Sequence, residues 1–292
     1  MNRTLKGLML CASLLATATV SADRESFSKF VAQKEAAAVT LECVFEVKSS
    51  YGGQEQQMER KVEVDGFVID EKGTVISTMS NVDPGSFYAK AMGSEDNYST
   101  RIKSLKYIFP DNTEVPAAVV LRDTDLNIAV LKPLTPPEKP MTFISLSESA
   151  TPKLLSEAYA IARLGRIARR NAVAISGEVE SIIEKPRTLY VVSDSLHGDS
   201  RNTGFPVFDG DGKLYGMTSL YLFPGGRNAL GDSDEPIMPI VIPASDLLEV
   251  AEQAKDAKPE AIPAVEAEKP APKDAADTPS PDAAAPGSEE KK

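Results

Sequence analysis

Apolar and polar residues alternate along much of the chain with a period of two. In VTLECVFEVK (39–48), Val39, Leu41, Cys43, Phe45 and Val47 share one side, while Thr40, Glu42, Glu46 and Lys48 share the other. Successive strand side chains point to opposite faces, so the run predicts a strand with Cys43 buried among apolar neighbours. Comparable runs predict strands over 39–48, 61–70, 74–78, 114–122, 127–132, 158–163, 172–183, 188–193, 206–208, 214–223 and 237–242. These strands are short, punctuated by Gly, Pro, Asn and Asp, with too little helix between them for parallel crossovers. The pattern points to an all-β fold class, an antiparallel barrel or sandwich.

Two segments break the alternation. Residues 25–38 predict an amphipathic helix, and 243–255 predict a closing helix with Ser245 as N-cap and Leu247, Leu248 and Ala251 on one face. The Pro-rich run KPLTPPEKP (132–140) splits the strands into two sets of similar size and reads as a linker. The chain therefore divides into an N-terminal helical segment (23–37), a first barrel with its linker (38–140), and a second barrel with its closing helix (141–256). Beyond it, residues 257–292 are mainly Ala, Pro, Asp, Glu and Lys, a composition too poor in large apolar groups to offset ordering entropy, and a disordered tail is expected.

At the other end, Arg3 and Lys6 precede a short apolar run over 7–15, and Val20, Ser21 and Ala22 form a small-residue cleavage pattern. This predicts a signal peptide over 1–22, cut near Ala22, and a periplasmic or secreted mature chain. The apolar run falls short of the roughly 18 residues that a membrane-spanning helix needs, so no stable membrane span is expected. Removal of Cys11 leaves Cys43 alone, and an internal disulfide is excluded.

Charge and residue counts narrow the chemistry. A formal net charge of -11 argues against nucleic acid as a partner. One histidine and one mature cysteine do not make a zinc cage, and FDGDGK (208–213) lacks the later ligands of a calcium loop and reads as a hairpin turn. No metal or other cofactor is expected. Arg163, Arg166, Arg169 and Arg170 form a basic cluster, read as a solvated loop face.

Three segments carry the functional signal: GFVIDEKGTVISTMSNV (66–82), VVLRDTDLNIAVLKP (119–133) and SRNTGFPVFDGDGKLYGMTS (200–219). In order and spacing they resemble the histidine, aspartate and serine segments of trypsin-like, chymotrypsin-fold serine proteases of the PA clan, in particular the HtrA (DegP-like) branch. The segments at 158–182 and 237–253 resemble the opening and closing parts of that family's second barrel. The resemblance covers about residues 38–254 and implies the trypsin-like fold of two antiparallel β-barrels. It places the catalytic histidine at Asn81, the aspartate at Asn127 and the serine at Thr203, so all three positions are substituted. The same alignment puts the oxyanion amides on the backbone of Arg201 and Thr203.

Each substitution removes a specific capability. Asn81 has no basic nitrogen near neutral pH and cannot act as general base. Asn127 carries no charge to stabilise an imidazolium. Thr203 keeps a hydroxyl, but its methyl group stiffens the side chain, and as an internal residue it has no terminal amine to activate it. The lone histidine, His197, lies close in sequence to Asp194, Ser195, Asp199 and Ser200, yet groups so near along one loop rarely converge as a triad, and it reads as a solvated loop residue.

The resemblance thus implies an exported pseudoprotease, a polypeptide-binding or scaffolding module that lacks turnover. The alternative is an active endopeptidase using Thr203 or the His197 loop. Cleft candidates for peptide binding are Arg201, Phe205, Gly216, Met217 and Thr218, with the loop GGRNALGDSDEP (225–236). The expected partner is a polypeptide, and the sequence leaves the oligomeric state open.

Overall fold

The structure is a computed structural model that describes residues 24–51, 54–87, 98–197, 203–223 and 237–259. The expected signal peptide, Arg201, the 225–236 loop and nearly all of the expected tail lie outside the described residues. No helix among the described residues is long and apolar enough to cross a membrane.

Among the described residues, twelve strands close into two six-stranded antiparallel barrels, as the family resemblance implies. The first comprises β1 (Ala38–Tyr51), β2 (Gln54–Val68), β3 (Val75–Thr78), β4 (Tyr98–Ile108), β5 (Glu114–Asp123) and β6 (Ile128–Pro133), joined in the order β1-β2-β3-β6-β5-β4. The second comprises β7 (Glu157–Arg163), β8 (Ala172–Ile183), β9 (Leu189–Val192), β10 (Pro206–Phe208), β11 (Leu214–Leu222) and β12 (Ile237–Pro243), ordered β10-β11-β12-β9-β8-β7.

Strand β4 escapes the alternation rule for a physical reason. Its register against β1 shifts between Val44 and Phe45, which pair with Ser104 and Ile102 and leave Lys103 as an extra residue. A bulge of this kind reverses the face parity, so Ile102 and then Leu105 and Tyr107 do not share a simple period. Strand β1 buries Val39, Leu41, Cys43, Phe45 and Val47 as expected, and burial pushes the Cys43 thiol up to about 12, an inert core group. The opposite face is not fully solvated: Thr40 and Glu42 are also buried. Burial would raise the Glu42 carboxyl, but Lys61 at 2.7 Å and Lys106 at 3.0 Å hold it below the ordinary glutamate range.

Helix α1 (24–34) crosses onto the second barrel. Phe27 stacks on Tyr159 at 4.7 Å between ring centroids, and Phe30 meets Phe208 edge-on at 4.9 Å. Phe30 also lies over Gly212, where φ is +81° and a Cβ would stand 2.5 Å from the ring. Helix α2 (Met79–Val82) and helix α3 (84–87) follow β3, and α4 (Asp194–His197) follows β9. The closing helix α5 (Ala244–Gln253) buries Ala244, Leu247 and Val250. Leu248 is exposed and Ala251 only partly buried, so the buried face lies one step round from the expected one. Ser245 is not its cap: Pro243 takes that position without a side-chain bond, and the Ser245 hydroxyl donates to Asp246 instead. Lys132 on β6 donates to the carbonyls of Ala254, Lys255 and Ala257, tying the end of α5 to the first barrel.

The arginine cluster does not form one solvated face. Arg166 and Arg169 are exposed, but Arg163 and Arg170 are buried in the seam between barrels. Arg163 donates to the backbone carbonyls of Ala38, Glu35 and Arg170. Arg170 pairs with Glu63 on β2 and reaches Asn112. Arg169 and Arg170 both take left-handed backbone conformations to bring this about. In FDGDGK the Asp209 carboxylate accepts the amides of Asp211 and Lys213, as a hairpin turn requires.

Candidate functional site

Thr78 ends β3, and the single turn of α2 then turns Asn81 toward the second barrel. Asn127, at the entrance to β6, stabilises that turn. Its backbone carbonyl accepts the Met79 amide at 3.0 Å, and its side-chain Oδ1 accepts the Ser80 amide at 2.8 Å. Both bonds satisfy amides that a helix start leaves without partners. Asn127 does this with φ at +56°, a left-handed conformation that asparagine tolerates better than most residues. With Oδ1 committed, Nδ2 faces three acceptors: Ser80 Oγ at 3.2 Å, Ser219 Oγ at 3.1 Å and Leu220 O at 3.0 Å. Ser219 and Leu220 belong to β11, so Asn127 bridges the barrels.

Asn81 is the second bridge. Its Nδ2 donates to the backbone carbonyl of Thr203 at 2.8 Å, with longer contacts to Ser77 Oγ at 3.3 Å and Asp65 O at 3.4 Å. Its Oδ1 accepts the Thr203 hydroxyl at 3.3 Å, and Thr203 Oγ1 lies 3.1 Å from Thr78 Oγ1. Asn81, Asn127 and Thr203 are all buried. Thr203 thus meets an amide and a hydroxyl, neither of which accepts a proton near neutral pH. Gly204 follows with φ at +93°; a Cβ there would stand 2.6 Å from Asp65 O and 2.9 Å from Asn81 Nδ2. Only glycine lets the Thr203 backbone approach β2 so closely.

One buried titratable group beside the seam is not singled out by the alternation pattern. Asp65 on β2 is buried, its carbonyl accepts Ser77 Oγ at 2.6 Å, and its carboxyl Oδ1 accepts the Arg163 amide at 3.3 Å. Burial pushes its carboxyl up to about 7, against the opposing pull of the Arg163 amide and charge. Burial lowers Arg163 in turn. The carboxyl faces β7 rather than Thr203. Ser77, Thr78, Ser80 and Ser219 complete the polar seam; only their sequence proximity to the aligned positions hints at them.

Of the other expected site residues, Phe205 is 1% exposed and packs with Leu196, Val207, Tyr215 and Val241, so its side chain is core and offers no recognition surface. Met217 and Thr218 are also fully buried. The Thr218 backbone is spent internally, donating to Phe205 O and accepting from Gly204 N. Gly216 is pressed against β12, where a Cβ would stand 1.7 Å from Ile242 O. These four positions build the wall beneath the seam. His197 ends α4, and the neighbouring Ser195 hydroxyl donates to Ser176 O at 3.0 Å.

A family model described as a trypsin-like peptidase domain matches residues 64–217, a span that includes Asn81, Asn127 and Thr203. No curated protein matches the chain.

Proposed function

The chain belongs to the trypsin-like peptidase domain family, and from that premise we propose that it is an exported, HtrA-like member that holds polypeptides without cleaving them. The observation that carries this reading is the direction of one hydrogen bond: Asn81 Nδ2 donates to Thr203 O. A histidine in the same place would offer a ring nitrogen to the hydroxyl and take up its proton; the amide instead fastens the backbone and leaves the hydroxyl unactivated. Asn127 likewise directs N–H groups where a carboxylate would accept. Because the three groups of a triad act as a unit, loss of all three leaves only binding and whatever amide stabilisation persists.

The partner in this reading is a polypeptide, the class of ligand that the family's fold takes up as an extended chain. Arg201 and the 225–236 loop are the positions for such contacts that remain after Phe205, Met217 and Thr218 are assigned to the wall. Export follows from the signal-peptide pattern ending at Ala22.

Denatured casein and a fluorophosphonate probe test the reading together. The chain is expected to leave casein intact and the probe unattached, with the Thr203→Ala variant indistinguishable from it. Casein cleavage that disappears in Thr203→Ala would overturn the proposal in favour of a threonine-variant endopeptidase.

A further inference from the structure

Strand β2 overruns its barrel. It pairs with β1 along its whole length from Gln54 to Phe67, but with β3 only at Phe67 and Val68. Residues 56–61 are exposed whichever face they point to. Among the described residues, no strand pairs with the outer edge of β2 from Gln54 to Val62, and the side chain of Glu63, the next residue, pairs with Arg170 of the second barrel. A nine-residue stretch thus presents unpaired backbone donors and acceptors, the situation in which one strand recruits another.

We propose that this edge is a homodimer interface, in which β2 of one protomer pairs antiparallel with β2 of a second copy about a two-fold axis at Met58. The parity of the strand supports it. The Asp65 carbonyl accepts Ser77 Oγ from β3, on the side away from β1, so odd-numbered β2 residues aim their backbone groups outward. With Met58 opposite its own copy, residues 55, 57, 59 and 61 each exchange hydrogen bonds with the partner strand, about eight bonds in all.

The side chains select the same register. Directly opposed residues share a face, so Met58 meets Met58, Gln57 meets Glu59 and Gln56 meets Arg60. Centring on Arg60, Glu59 or Lys61 instead would set each of these charges against its own copy, which is unfavourable. Met58 is 53% exposed, an apolar side chain at the midpoint of the free stretch. Gln54 of the second copy then falls opposite Val62, one residue before the Glu63–Arg170 pair.

Cysteine cross-linking tests the axis directly, using the full chain with Cys11→Ser so that buried Cys43 is the only other thiol. A non-hydrogen-bonded antiparallel pair has Cα atoms about 4.5 Å apart, within disulfide range. Met58→Cys is expected to give a disulfide-linked dimer on mild oxidation. Lys61→Cys, whose copies lie about 20 Å apart in this register, is expected to stay monomeric under denaturing electrophoresis. Met58→Lys, at an exposed site, is expected to shift the native species from dimer to monomer in analytical ultracentrifugation while its circular dichroism stays that of the folded parent, and to remove the concentration dependence of the parent's melting midpoint. A chain that sediments as a monomer at 100 micromolar, or equal cross-linking of both cysteine variants, would sink the interface. So would a monomer that instead captures extended peptides along this edge.

Discussion

Asn81 donates to the Thr203 carbonyl because an amide nitrogen has hydrogens to give and no basic lone pair to offer. The substitution was readable in the sequence from the family frame around GTVISTMSN, but the bond was not, since it depends on how closely Gly204 lets the second barrel approach. Asp65 was not readable at all: an aspartate before a glycine suggests a turn, and only the fold buries it beneath Arg163. Its carboxyl, lifted from 3.8 to about 7, binds a proton more tightly in the folded state. The stability this contributes is complete below pH 3.8 and is lost as pH rises through 7. Asp65→Asn, a mimic of the protonated form, should therefore melt a few degrees above the parent at pH 8, with the gap closing toward pH 4. A gap independent of pH in paired thermal scans would contradict this assignment.

At the scale of elements, strands whose apolar residues keep strict alternation are plain in the sequence, and β1 is the clearest case. Strand β4 is hidden by its bulge at Lys103, and the first half of β2 by the absence of any buried face to pattern it. In α5 the choice between neighbouring stripes is settled by where β6 and β11 stand, which no helical periodicity encodes. Phe205 illustrates the same limit in the second barrel, since a residue beside the aligned nucleophile position proves to be wall. Phe205→Ala is expected to cost about 3 to 5 kcal/mol in urea unfolding, because the cavity beside Leu196, Val207 and Tyr215 cannot collapse within closed strands. A loss below about 1 kcal/mol would return Phe205 to the surface.

Beside a hydrophobic cluster that includes residues of both barrels, buried polar groups cross the seam between them. Asn81 and Asn127 reach the second barrel, while Arg163 and Arg170 reach back to the first. Arg170→Met strands Glu63 and should lower stability by about 2 kcal/mol, the scale of a charge-assisted hydrogen bond. If the pair carries that loss, adding Glu63→Gln should cost little more; strictly additive losses in a double-mutant cycle would show the bridge to be idle. Strand spacing and punctuation pointed to a barrel or sandwich and the family frame to the double barrel, whereas this stitching was not legible, because its partners lie far apart in the chain.

Helix α1 adds a matter of timing. Phe27 and Phe30 leave the ribosome well before Tyr159, Phe208 and the bare surface of Gly212 exist as a landing place. Two aromatic rings near the front of the chain must therefore wait uncovered until residues 159–212, more than a hundred positions later, have followed them.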